Sequence, residues 1–98
     1  MKKIIWAETA IADLENIHNY IAQDSPFYAD TLCLEIIQAI DPLEKHPKLG
    51  RIVPEFKEEN ARELIVNDYR IIYEITIFKI NILTIIHGAK LLKRHKLA

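Results

Sequence analysis

The spacing of apolar residues changes once along this chain, and that change restricts the fold more than any other feature of the sequence. Between residues 8 and 45 apolar side chains recur every three or four positions, as on one face of an amphipathic helix. From Tyr69 to Ile77 they alternate with other side chains, as on a strand with one buried face. Helical segments that precede a run of strands predict an α+β fold, with the helices packed on one face of a sheet.

Six elements are predicted, in the order β-α-α-β-β-β. Ser25 is expected to cap the second helix, with Pro26 at its first position, and Pro42 should kink that helix or end it near Ile40. The two helices should form a hairpin on a mainly antiparallel sheet, and residues 47–60 should form an irregular connection. The predicted segments are Lys3–Trp6, Glu8–Gln23, Pro26 towards Lys45, Arg62–Val66, Tyr69–Ile77 and Ile80–His87.

Length and composition restrict the number of domains and the kinds of site. The chain has 98 residues, of which 50% are hydrophobic, which is enough for one core, so we expect a single domain over residues 1–98. Two glycines are too few for a glycine-rich phosphate loop, and one cysteine, Cys33, excludes an intrachain disulfide. The four histidines lack metal-ligand spacing. We therefore expect neither a metal nor a cofactor.

Charge is distributed unevenly along the chain. Residues 1–74 carry 8 basic and 14 acidic side chains, whereas residues 75–98 carry five basic side chains and no acidic one. This asymmetry indicates either an acidic or anionic partner near the C-terminus or simply a solvated tail. A net charge of −1 argues against sequence-specific DNA binding by this chain alone. The apolar runs at residues 4–7 and 80–86 are too short for a signal peptide or a membrane span, so a cytoplasmic protein is expected.

Short motifs follow one another along almost the whole chain. They are Asp13-Leu14, Ile17 and Tyr20-Ile21 on the first helix, Pro47, Gly50-Arg51 and Val53-Pro54-Glu55 in the connection, Arg62-Glu63-Leu64 and Tyr69 to Tyr73 on strands, and Ile86 to Lys90 at the end of the last strand. In this order, these motifs resemble the RelE/ParE superfamily of type II toxin–antitoxin toxins, and the ParE branch most of all. The resemblance implies a small bacterial toxin, with a function such as plasmid stabilisation, that a cognate antitoxin neutralises in a hetero-oligomeric complex.

Two target classes are implied by this resemblance. ParE-like members inhibit DNA gyrase, whereas RelE-like members are endoribonucleases that cut mRNA on the ribosome. RNA cleavage needs a base, an acid and cations at the phosphate, and the candidates for these catalytic groups are Arg62, Arg70, His87 and Lys90. RelE-like nucleases also resemble one another in a C-terminal tyrosine, and this chain has no tyrosine after Tyr73. That departure favours a ParE-like toxin that is not an enzyme.

The outward face of the sheet is the expected contact surface. In the strand over Tyr69–Ile77, the face with Tyr69 and Ile77 should be core, and Arg70 should face away from it, where it could simply pair with Glu74. An apolar patch on the outward face would suit an antitoxin segment, unless residues 89–98 fold back over it. The expected target- or antitoxin-binding residues are Arg51, Arg62, Arg70, Ile72, Leu83, Ile85, His87, Lys90, Lys93 and Arg94.

Three functions follow from the sequence, in order of preference. The first is a ParE-like toxin that inhibits DNA gyrase and is held inactive by its antitoxin. The second is a RelE-like, ribosome-dependent mRNA endoribonuclease. The third is a non-toxic module that retains only the antitoxin-binding surface.

Overall fold

The fold of residues 1–92, which this computed structural model describes, consists of two helices and one five-stranded sheet. The elements are β1 (Lys3–Trp6), α1 (Glu8–Ala22), α2 (Pro26–Ile40), β2 (Arg51–Ile52), β3 (Ala61–Val66), β4 (Tyr69–Ile75) and β5 (Lys79–His87). The strand order is β1-β5-β4-β3-β2, and every pair is antiparallel except β1 with β5. The expected α+β fold with a mainly antiparallel sheet is confirmed. Within the described residues, neither helix is long and apolar enough to cross a bilayer.

Local signals set the limits of the helices as expected. The hydroxyl of Ser25 accepts a hydrogen bond from the Tyr28 amide at 3.1 Å, and Pro26 is the first residue of α2, where its missing N–H costs nothing. Helix α2 ends at Ile40, and the chain continues through Pro42 as a short 3-10 turn, Asp41–Glu44. Proline cannot donate the next helical hydrogen bond, so the helix stops there.

The sheet departs from the prediction in two places. Strand β2, which pairs Arg51 with Glu63 and Ile52 with Arg62, lies in the segment that was expected to be irregular. Two residues are too few to display an alternating pattern. Strand β4 ends at Ile75, because the Thr76 amide and hydroxyl both bond to Lys79 and close a turn. The prediction that Ile77 belongs to the core is therefore wrong, since Ile77 lies in this turn and is 80% exposed.

Both faces of the sheet are covered. The main core lies between the helices and the sheet, and its buried members are Ala10, Leu32, Ile36, Ile40, Leu43, Ile71, Tyr73, Ile75, Ile80, Ile82 and Ile85. On the opposite face Val53, Ile72 and Leu92 form a second cluster, with Leu83 packed against it. The expectation of an exposed patch around Ile72 is therefore wrong. The alternative, that the chain folds back over this face, holds as far as Leu92.

A bulge in β5 alters which of its side chains face the helices. Ile72 lies opposite Thr84 and Tyr73 opposite Ile82, so Leu83 faces no residue of β4. One extra residue shifts the alternation, and Ile85 packs in the main core rather than on the outward face where it was expected. Asp13 of α1 supports the bulge, because its Oδ2 accepts the Ile85 amide at 3.0 Å and the Thr84 hydroxyl.

Candidate functional site

Arg70 lies at the centre of a buried group of charges on the sheet face opposite the helices. Its Nη1 and Nη2 each donate to one oxygen of Glu55 at 2.7 Å, which makes a two-pronged ion pair. Its Nε donates to Oε1 of Glu63, also at 2.7 Å. Arg70 is only 5% exposed and Glu63 only 1%. The guanidinium of Arg70 is thus enclosed by two carboxylates of the same chain.

Arg51 completes this group, which we call the Arg70 cluster (Arg51, Glu55, Glu63 and Arg70). Arg51 Nε donates to Oε2 of Glu63 at 2.5 Å from a largely exposed side chain. The hydrogen bonds from Arg70 hold the pKa of Glu55 down at about 2, and the same bonds raise the pKa of Arg70 above its usual range. Two positive and two negative groups therefore compensate one another. Arg70 does not pair with Glu74, the alternative that its strand position left open, and Glu74 accepts a hydrogen bond from Asn81 instead.

The Arg70 cluster also holds the segment that follows β5. Arg70 Nη1 donates to the carbonyl oxygen of Lys90 at 3.1 Å. Glu55 Oε2 accepts the Leu92 amide at 3.0 Å, and the Leu92 side chain is buried beside Val53. The backbone after β5 is therefore fixed against the sheet by both polar and apolar contacts.

Arg62 braces the connection that precedes β3. Its Nε donates to the Glu59 carbonyl at 2.8 Å and its Nη1 to the Gly50 carbonyl at 3.0 Å. The Tyr73 hydroxyl donates to the Pro47 carbonyl at 2.6 Å and accepts the Gly50 amide at 2.9 Å. The guanidinium of Arg62, like that of Arg70, is used to hold the protein's own chain.

Of the four candidate catalytic residues, His87 and Lys90 are the exposed ones. The His87 ring meets the Tyr69 ring edge-on, with 5.9 Å between their centres, and its Nδ1 accepts the Ala89 amide at 3.2 Å. The Lys90 amide donates to the His87 carbonyl at 3.0 Å, so a tight turn brings these two side chains to the same end of β5.

The four candidate catalytic groups do not form one constellation. His87 lies opposite Tyr69, and Arg62 lies opposite Tyr73. Four residues along β4 correspond to about 13 Å, which is too far for one substrate phosphate. Lys93 and Arg94, which were also expected to bind a partner, lie outside the described residues.

The helical hairpin carries exposed apolar surface that the sequence analysis missed. A groove of 350 Å³ is lined by Trp6, Ile11, Leu14, Glu15 and Ile37. Ile11 is 45% exposed and Ile37 is 41% exposed. Both side chains lie beside the apolar stripes that predicted the helices, and this extra width of apolar surface was the available signal.

The fold and the motifs agree with known toxins. A family model described as "ParE toxin of type II toxin-antitoxin system, parDE" matches residues 4–92. Toxin RelE2 of Caulobacter vibrioides is 35% identical over 92 residues, which are 93% of this chain and all of that protein. Putative toxin Y4kP of Sinorhizobium fredii is 34% identical over 89 residues, which are 89% of this chain and 88% of that protein.

A solved structure has the same fold. It is described as the chromosomal ParDE TA system from P. aeruginosa, and its TM-score with this chain is 0.74 at 23% identity, covering 89% of this chain and 96% of that one. The family match spans the elements that carry the Arg70 cluster, from β1 to Leu92. The chain therefore belongs to the ParE toxin family of type II toxin–antitoxin systems.

Proposed function

We propose that this protein acts in the bacterial cytoplasm as a ParE-like toxin that binds DNA gyrase, inhibits it, and is neutralised by a cognate antitoxin. Family membership supports the toxin class. The Arg70 cluster is the observation that favours a gyrase inhibitor over a nuclease. Arg62 and Arg70, the strand arginines best suited to grip a phosphate, are bound to carbonyl and carboxylate oxygens of this chain.

Turning Arg70 towards a substrate phosphate would be costly. Glu63 is completely enclosed, and moving Arg70 away would leave this carboxylate with Arg51 as its charged partner. Removing one partner from a buried ion pair costs about 3–5 kcal/mol. A nuclease would have to offset that cost with binding free energy from each substrate. An inhibitor that acts through its surface would leave the Arg70 cluster intact.

Gyrase supercoiling and DNA-cleavage assays test this proposal with purified, antitoxin-free protein. We expect inhibition or trapped cleaved DNA near a one-to-one ratio of toxin to gyrase. Lys90→Ala should raise the concentration for half-inhibition by about fivefold, as expected for one charge lost from an interface. Lys79→Ala, an exposed lysine at the opposite end of β5, is the matched control and should act like wild type. No effect of folded wild-type protein on gyrase would refute the proposal.

We further propose that the antitoxin docks on the apolar groove of the helical hairpin. An amphipathic helix typically binds such a groove, because its apolar face fills the space between two helices. Trp6, Ile11, Leu14 and Ile37 offer a surface of this kind. The outward face of the sheet is less suitable, since Ile72 is fully buried.

Ile37→Asp should weaken antitoxin binding by about 30-fold or more, because a charge would enter the apolar contact. The protein should remain folded, since Ile37 is 41% exposed. Ile77→Asp, at the exposed β4–β5 turn, is the matched control. Titration calorimetry with the antitoxin measures both, and equal affinity of Ile37→Asp and wild type would exclude the groove as the docking surface.

Ribosome-dependent mRNA cleavage is the second candidate function. It is supported by the name of the relative RelE2 and by the exposed pair His87 and Lys90 at the end of β5. Cuts in ribosome-bound mRNA at fixed codon positions, without an effect on gyrase, would favour this candidate. Absence of growth arrest on induction without antitoxin would favour the third function, a non-toxic binding module.

A further inference from the structure

We propose that Glu55 is a positioning residue for target binding, because it fixes the path of residues 88–92 and so determines where the exposed side chains of Lys90 and Leu91 are presented. This inference rests on the proposed function, since it concerns the surface that meets the target. Glu55 itself does not need to touch the target. Its side chain is 19% exposed and faces Arg70.

Glu55 joins three segments that are distant in sequence. It belongs to the connection between β2 and β3, its carboxylate binds Arg70 of β4 through both oxygens, and Oε2 also accepts the Leu92 amide at 3.0 Å. The sequence separation is 15 residues to Arg70 and 37 residues to Leu92. One carboxylate therefore couples the sheet to the last described residue of the chain.

The segment after β5 is held at regular intervals. The Gly88 amide donates to the Asp68 carbonyl at 2.6 Å, and the Lys90 carbonyl accepts from Arg70. The Leu92 side chain is 8% exposed and packs in the second cluster. Leu91 lies between these anchors and is 78% exposed, so its side chain does not help to hold the segment. Within residues 1–92, the contacts made by Glu55 and by the Leu92 side chain are the last ones that hold this segment.

Two exposed side chains of this segment lie next to the anchor. Lys90 carries a positive charge, and Leu91 is 78% exposed. A binding segment that is already ordered loses less conformational entropy when it meets its partner. Releasing the anchor should therefore weaken target binding without removing any of the contacting side chains.

Two variants release the anchor by independent routes. Glu55→Gln removes the charge that holds Arg70, and Leu92→Ala removes the apolar anchor while leaving the ion pair in place. Glu59→Gln is the matched control, because Glu59 lies in the same connection and pairs with Lys48 at the surface. The readouts are gyrase inhibition and amide hydrogen exchange at Leu92, with the amides of Ile71 and Ile82 as reporters of the core.

We expect both releasing variants to raise the exchange rate of the Leu92 amide, and the concentration for half-inhibition, by about tenfold or more. Exchange at Ile71 and Ile82 should stay as in wild type, which a general loss of structure would not allow. Faster exchange at Leu92 with unchanged inhibition would overturn the inference. Lost inhibition with unchanged exchange would also overturn it, because Glu55 would then act on the target directly.

Two other outcomes, a general loss of structure in Glu55→Gln and a failure of the gyrase proposal itself, can be distinguished from a failure of this inference. If Glu55→Gln also loses protection at Ile71 and Ile82, Leu92→Ala alone decides the question, since it leaves the Arg70 cluster intact. If wild-type protein fails to inhibit gyrase but cuts ribosome-bound mRNA, the gyrase proposal is refuted and the cleavage rate replaces inhibition as the readout for the same variants.

Discussion

Arg70→Ala should lower the free energy of unfolding by about 3–5 kcal/mol, as expected when one partner of a buried ion pair is removed. The variant would leave the buried carboxylate of Glu63 and the partly buried carboxylate of Glu55 without the guanidinium that compensates them. Urea denaturation measures the loss. Arg51→Ala is the control, because Arg51 binds the same Glu63 from an exposed position, and its loss should cost at most about 1 kcal/mol. Equal costs for the two variants would contradict this account of the cluster.

The difference between wild type and Arg70→Ala should shrink in acid. In wild type the pKa of Glu55 is lowered from 4.5 to about 2, mainly by hydrogen bonds from Arg70. A carboxylate whose pKa is lowered by folding contributes stability that is present above pH 4.5 and is lost as the pH falls towards 2. Without Arg70 the largest part of that contribution is absent at every pH. Unfolding curves of both proteins between pH 5 and 2 check this, and a constant difference would refute it.

Gly50→Ala should destabilise the protein by about 2–3 kcal/mol through steric overlap. A Cβ at Gly50 would collide with the backbone oxygen of Glu63 and lie 2.8 Å from the Tyr73 hydroxyl. Both are fixed, because Glu63 belongs to the β2–β3 pairing and Tyr73 bonds to Pro47 and Gly50. The backbone conformation of Gly50 is open to alanine, so lack of space is the cause.

Gly88→Ala supplies the control for this steric argument. A Cβ at Gly88 would lie 3.2 Å from the Asp68 oxygen, which a small shift relieves, and the loss should stay below about 1 kcal/mol. Thermal unfolding of both variants tests the comparison. A larger loss for Gly88→Ala than for Gly50→Ala would show that contact distance does not determine the ranking.

The parts of the fold that local chemistry determines could be predicted from sequence. Ser25, Pro26 and Pro42 act on the residues beside them, so the limits of α2 follow from the sequence itself. Ile77 was misplaced because the alternating pattern continues past the point where hydrogen bonds between Thr76 and Lys79 close the turn. A pattern reports which residues could face a core, and it does not report where the strand ends.

The candidate site depended on contacts that are distant along the chain. Arg70 was identified as important, but its partners Glu55 and Glu63 could not be chosen from among 14 acidic residues without the fold. The bulge at Leu83 likewise shifts Ile85 to the core by a change of one residue that no composition signal records. For the groove of the hairpin, the sequence carries the extra apolar width on the helices, but which of those side chains stay uncovered, such as Ile37, depends on how the helices pack.

The sheet order also has a consequence for synthesis of the toxin. Among the strands of residues 1–92, β5 is the last to be made, yet it separates β1 from β4 and pairs with both. Its parallel partner β1 lies more than 70 residues earlier, so closing that pairing requires bringing the two ends of the chain together, a slow step in folding. A nascent chain that ends before residue 79 contains β1 and β4 but lacks the strand that pairs with both of them. The sheet of the described residues is therefore completed only after β5 has been synthesised.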